Sequence, residues 1–131
     1  MLKIKSYVKV NSIEEAYELN QKKTAIVLGG MVWLKMGNRN ISTAIDLSGL
    51  GLAGIQETDE EFVIGCMTTL RELETDKRLN EYTQGAVRES VRHIVGVQFR
   101  NCATVGGSIW GRYGFSDVLT MFLGMDTWVE L

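Results

Sequence analysis

The sequence predicts an α+β fold, and three observations lead there. Residues 1–28 read as strand, helix and strand; a polar turn over Gln56–Glu61 separates two short apolar runs in the manner of a hairpin; and apolar residues then recur at helical spacing as far as Leu123. At 131 residues the chain is one domain's worth of sequence, enough to bury a core. Hydrophobic residues at 45% and charged residues at 23% are the proportions of a globular protein. A net charge of -2 offers no electrostatic attraction to nucleic acid or an anionic membrane surface. No apolar run approaches the roughly 20 residues that span a bilayer. The opening MLKIKSYVKV lacks the apolar core and small-residue cleavage site of a signal peptide, so a cytoplasmic protein is expected.

The elements follow in order. Lys3–Val10 alternates as a strand does. Ser12-Ile-Glu-Glu15 matches a capping box, and the helix it opens runs from Ile13 to about Lys22 with Ala16, Tyr17 and Leu19 on its apolar side. Thr24–Leu28 is a short apolar run suited to a buried strand, and it stops at Gly29-Gly30, a place where α/β folds hold ligands. After Met31–Met36 comes a turn at Gly37-Asn38, then a strand around Thr43–Leu47. The hairpin leads to Phe62–Gly65. Thr68 is the expected cap of a helix running to about Leu79, with Glu72 in its first turn. Thr83–Val95 carries Ala86, Val87, Val91, Ile94 and Val95 at helical spacing and stops at Gly96. Ser116 caps Asp117–Leu123. Thr127–Leu131 alternates as a strand, and a strand running into the last residue reads as a fragment of a longer chain.

Chemistry by the protein's own side chains finds little support. Cys66 and Cys102 are far apart, form no CxxC pair, and with one histidine complete no zinc set or iron–sulfur ligation; two buried, reduced thiols are expected. No catalytic residue and no metal ligand is therefore assigned. His93 has no recognisable partner and reads as a structural or surface residue. Trp33, Trp110 and Trp128 read first as core aromatics, with stacking on a ring as the alternative. Arg100 could tie the segment after it to a carboxylate or a carbonyl. Glu57–Glu61 reads as a solvated turn, and Arg88 with Arg92 as a solvated face or a docking surface.

Glycine carries the sharper signal. Proline is absent, and the 14 glycines supply nearly all the backbone punctuation. VLGGMVW (27–33) and ATVGGSIWG (103–111) each place a Gly-Gly pair after an apolar segment. Successive amides in such a turn can form an anion-binding nest, and two nests brought together would suit a pyrophosphate. Each alone is most often only a tight turn. Neither is GxGxxG or a P-loop, so a nucleoside triphosphatase is disfavoured.

Taken together, AIVLGGMVWLKMG, IDLSGLGLAGI, IGCMTTLREL and the block from Val91 to Leu131, with its Arg-Asn-x-x-Thr-x-Gly-Gly core and later Ser-Asp, resemble the flavoprotein subunit or domain of molybdenum hydroxylases, the family of xanthine and carbon monoxide dehydrogenases. The resemblance covers nearly the whole chain. It implies a two-subdomain FAD-binding fold, with a small N-terminal α/β subdomain (1–55) and an incomplete second subdomain (56–131) of mixed or antiparallel sheet with helices, truncated at its C-terminus. It implies FAD as cofactor, wrapped by Val27, Leu28, Gly29, Gly30, Met31, Val32 and Trp33, and by Thr104, Val105, Gly106, Gly107 and Ser108. Asp117 would accept from FAD hydroxyls, and Ile94 falls where the family packs a side chain near the isoalloxazine. It implies electron transfer from iron–sulfur clusters through FAD to NAD or another acceptor, with molybdenum–pterin and 2Fe–2S centres on partner subunits. The sequence departs from the family pattern at Met31 and Val32, where a polar pair is usual, at Ser108 in place of asparagine, and at Gly114-Phe115 near a usual proline. Two further readings stand beside it: an assembly or adaptor module that no longer retains flavin, and a site for another dinucleotide or diphosphate.

Overall fold

A computed structural model describes residues 1–131. Strands β1 (Lys3–Lys9), β2 (Ala25–Leu28) and β3 (Asn40–Asp46) form an all-parallel sheet in the order β1-β3-β2, with helix α1 (Ile13–Asn20) between β1 and β2 in the chain. Both Lys9 and Leu28 align with Asp46, so the strands end together at one rim, where Gly29-Gly30 leaves the sheet. Ile41, Ala44 and Ile45 bury β3 at the centre. Ile45 packs with Val10 and Ala16 on the α1 side, and its strand neighbour Ala44, pointing to the opposite face, packs in a separate cluster with Leu28 and Ile41. β1 is an edge strand with Lys3, Lys5 and Lys9 exposed.

A second sheet is the antiparallel hairpin of β4 (Ile55–Glu57) and β5 (Phe62–Ile64). Its turn is held by Thr58, whose hydroxyl accepts from the Glu60 and Glu61 amides. Six short helices follow: α2 (Leu70–Thr75), α3 (Lys77–Tyr82), α4 (Ala86–Val91), α5 (Val97–Arg100), α6 (Val105–Gly111) and α7 (Asp117–Leu123). Leu70, Leu73, Leu79, Val87, Val91, Ala103, Val105 and Val118 form the largest core among them.

Several expectations are corrected. α2 is capped by Thr69, not Thr68, because Glu72 stands three residues after Thr69 and completes a capping box with it. Thr68 is instead fully buried, its hydroxyl bonded to both the amide and the carbonyl of Gly54 at 2.9 Å. The single helix expected to reach Leu79 is two, broken at Asp76, whose ψ of 117° is extended and whose carboxylate caps α3 through the Leu79 amide. The helix over Thr83–Val95 is confined to Ala86–Val91. The residues after it include Val95 at φ 51°, and α5 starts afresh at Val97. At α1 the box is shifted by one: Ser12 accepts from Glu15, while the Glu15 carboxylate accepts from the Asn11 amide. Thr127–Leu131 is not a strand, since no strand of the chain lies beside it to exchange amide bonds. Cys66 and Cys102 are exposed rather than buried, and so are all three tryptophans, at 44%, 73% and 70% for Trp33, Trp110 and Trp128.

Candidate functional site

The two glycine segments meet. A Cβ on Gly29 would lie 2.8 Å from Thr104 Oγ1 and 3.5 Å from the Gly107 Cα. One on Gly30 would lie 1.8 Å from the Cys102 carbonyl oxygen, far inside any non-bonded contact distance. Only side-chain-free residues allow this approach of backbone to backbone.

At this junction the two segments differ in what they offer. None of the amides from Gly29 to Leu34 donates to an acceptor within the chain. Met31 takes a left-handed φ of 57° and Trp33 is right-handed again, so the backbone turns sharply over this segment. The second pair is no nest, which corrects the expectation of two. Gly106-Gly107 lies in the first turn of α6. The Val105 amide donates to Thr68 O, Gly106 to Cys66 O, Gly107 to Thr104 Oγ1 and Ser108 to Thr104 O. What this segment adds is Thr104 itself. It is only 5% exposed, yet its amide has no acceptor in the chain. Six consecutive free amides, with a seventh buried beside them, are the donor set that a diphosphate satisfies.

Residues 2–131 match the family described as the FAD binding domain in molybdopterin dehydrogenase. The chain belongs to that family. Among curated proteins, 27% identity links it to the 6-hydroxypseudooxynicotine dehydrogenase complex subunit alpha of Paenarthrobacter nicotinovorans, covering 94% of this chain and 44% of that one. Among solved structures it resembles a Cu,Mo-containing CO dehydrogenase in its cyanide-inactivated form (TM-score 0.71, 25% identity, 85% of this chain and 41% of that one). The reconstituted CO dehydrogenase from Oligotropha carboxidovorans is similar as well (TM-score 0.70, 27% identity, 81% and 39%). The chain thus spans less than half the length of these relatives. The α+β fold is that of this family's FAD-binding domains, and FAD is the cofactor the family binds.

The junction of this FAD-binding domain fits FAD at its phosphates, through unpaired donors and a glycine cradle that any Cβ would fill. Val27 and Leu28 are the last residues of β2, paired with Ile45 and Asp46, and they set where the free amides begin. Val27's side chain borders an apolar groove with Ile13, Tyr17 and Leu52, while Leu28 is core. Val32 packs against the main core. Asp117, exposed at the start of α7, borders a cavity of about 350 Å³ with Glu89, Ser90, His93, Thr120 and Met121, and no residue of either glycine segment lines it. Ile94 is half-buried against the main core beside that cavity's His93. Asp46, at the strand rim, is already satisfied by the Tyr7 hydroxyl and by Ser48. The Tyr7 bond holds its carboxyl below the usual carboxylate range. No three His, Cys, Asp or Glu residues gather as a metal site, and no helix is long and apolar enough to cross a membrane.

Sequence reasoning missed an aromatic group at the same junction. Trp33 meets Phe99 edge-on at 6.1 Å, Tyr113 at 6.0 Å and Phe115 at 5.5 Å, and Tyr113 stacks on Phe115 at 5.2 Å. Trp33 therefore bridges the first glycine segment to α5 and to the α6–α7 loop. The aromatic residues at 113 and 115, each flanking Gly114, were the available signal.

Proposed function

We propose that the chain is the FAD-binding part of an oxidoreductase complex, passing electrons from iron–sulfur clusters on one partner, ahead of which a molybdenum–pterin partner oxidises the substrate, to NAD or another acceptor. When bound, FAD supplies the exchange between single-electron and paired-electron carriers. The chain's own residues bind and orient. The amides of Gly29–Leu34 and Thr104 donate to the pyrophosphate, and Gly30 keeps its neighbourhood clear. Asp117, exposed and acceptor-only, takes hydroxyls of the ribityl or ribose, and Ile94 packs toward the flavin ring. Trp33 and Phe115, both exposed, offer aromatic faces at the same junction. The observation that carries this reading is the run of amides without acceptors at the point where the two glycine segments touch. Residues 1–55 and 56–131 serve as two subdomains in it, consistent with separate cores around the parallel sheet and among the helices. Free thiols at Cys66 and Cys102 suit the reducing cytoplasm.

One observation favours a second reading, an adaptor that has lost flavin: the second glycine pair spends its amides within the fold, and Met31-Val32 adds no polar side chain. Purifying the chain decides between them. A yellow, acid-releasable chromophore, or uptake of added FAD with quenching of its fluorescence, is the expected result. Colourless protein that ignores added FAD supports the adaptor, and uptake of ADP or NAD without FAD supports another dinucleotide. In the assembled complex, anaerobic bleaching of the flavin by NADH is the result expected if NAD is the acceptor.

A further inference from the structure

The contact that sets the free amides' position is one of backbone on backbone. Gly30 rests on the Cys102–Ala103 peptide with no space between them, so wherever that peptide sits, the first segment's amides must follow. On one side the peptide is pinned to α2 and the residues before it, by the Leu70 amide to Ala103 O at 2.9 Å and the Val105 amide to Thr68 O at 2.8 Å. On the other it hangs from α5, since the Cys102 and Ala103 amides both donate to Phe99 O at 3.0 and 2.8 Å. α5 is four residues long, a single turn with little stability of its own. What fastens α5 to the body is Arg100. Its guanidinium is buried, donating through Nε and Nη2 to Glu74 of α2 at 2.7 and 3.3 Å and through Nη1 to the Ile94 carbonyl at 3.1 Å. One side chain thus locks α2, the segment after α4, and α5 into a single block. Arg71 holds the same Glu74 carboxylate from outside at 2.9 Å. Burying two charges costs more than an apolar filling of equal volume would, so this clamp is a device for geometry rather than for stability alone.

We infer that Arg100, held by Glu74, is a positioning residue for dinucleotide binding: it fixes the Cys102–Thr104 peptide against which Gly29-Gly30 is registered, and so the spacing between the Thr104 amide and the free amides of the first segment. The inference rests on the FAD reading above. Arg100 acts through the protein: its guanidinium is buried and its three hydrogen bonds go to Glu74 and the Ile94 carbonyl. Lysine at this position keeps the charge and loses the fork that spans two carboxylate oxygens and a carbonyl at once.

The experiment compares FAD dissociation constants, thermal midpoints and the visible circular dichroism of bound flavin in the purified chain. The variants are Arg100→Lys and Glu74→Gln, with Leu79→Ala as a core variant in the same cluster that makes no part of the clamp. The expected result is that Arg100→Lys, while still folded at the assay temperature, loses roughly tenfold in FAD affinity, and that the flavin bands of what remains bound change shape. Glu74→Gln does the same more mildly, and carries the test if Arg100→Lys does not fold. Leu79→Ala lowers the midpoint at least as much and leaves affinity and band shape at wild-type values. The inference is overturned if the clamp variants bind FAD as wild type does. It is equally overturned if Leu79→Ala loses affinity in step with its midpoint, since the clamp would then act through stability only. A wild-type chain that takes up no FAD removes the cofactor reading and this inference together, which separates that failure from the other two.

Discussion

Gly30 has no room for a methyl group, and Gly107 nearly does; that difference separates folding from binding. At Gly30 an added Cβ meets the Cys102 carbonyl at 1.8 Å, rigid main chain on rigid main chain. Gly30→Ala is expected to cost about 2–3 kcal/mol of stability and to open the junction, seen as a lowered urea midpoint and lost flavin. At Gly107 the nearest atom is Thr104 Oγ1 at 3.0 Å, and the residue is helical and exposed. Gly107→Ala is expected to hold the midpoint within about 1 kcal/mol, since helix propensity favours alanine by about that much, while lowering the flavin bound per chain. Full flavin content in that variant would show that nothing approaches this face of α6. The glycine pairs were legible in the sequence because two residues without side chains after an apolar run are conspicuous. Which amides were free was not legible: Gly106 finds its acceptor in Cys66, and nothing local to either residue announces the pairing.

Short elements make this chain depend on what ties them together. The turn of α5 and the break at Asp76 were both invisible to periodicity, which needs more than one turn to register. Thr69 over Thr68 was decidable from the position of Glu72, by the spacing a capping box demands. Arg100's use was legible in kind, a tie to a carboxylate or a carbonyl, and it makes both; Glu74 as its partner was not, because only the packing of α5 on α2 sets them side by side. Their pairing also leaves a pH signature. The Arg100 hydrogen bond, then Arg71, hold the Glu74 carboxyl below its ordinary range. The unfolded chain, with a carboxyl near the usual value of about 4.3, therefore binds this proton more readily than the folded one. Stability from the pair is complete above about pH 5 and is lost as pH falls through the folded value. Urea midpoints against pH should show an acid limb for the wild type that is shallower in Glu74→Gln, with the two curves converging at low pH. Parallel curves would place the acid sensitivity elsewhere.

Across the molecule, 19 of 131 residues are buried, and the apolar ones among them fall into clusters of eight, three and three, so no single core spans the chain. A ligand that bridges segments from two of them should stabilise markedly. FAD at about a hundred times its dissociation constant adds about 2.7 kcal/mol by mass action, which for a domain this size raises the melting midpoint by roughly 10 °C. A melting curve that FAD leaves in place would mean that the nucleotide does not span the junction. The fold class and the opening strand, helix and strand were legible because apolar periods of two and near four are long enough there to read. The insertion of β3 between β1 and β2 was not, since sheet order is set by which strand is apolar on both faces, and Ile41, Ala44 and Ile45 reveal that only once stacked.

The parallel sheet ends on one side at β1, whose backbone groups on that side face no neighbour. Lys3, Lys5 and Lys9 stand along it. An incoming copy that tried to extend the ladder would bring its own row of ammonium groups against these, and the repulsion makes that margin a dead end for lateral growth.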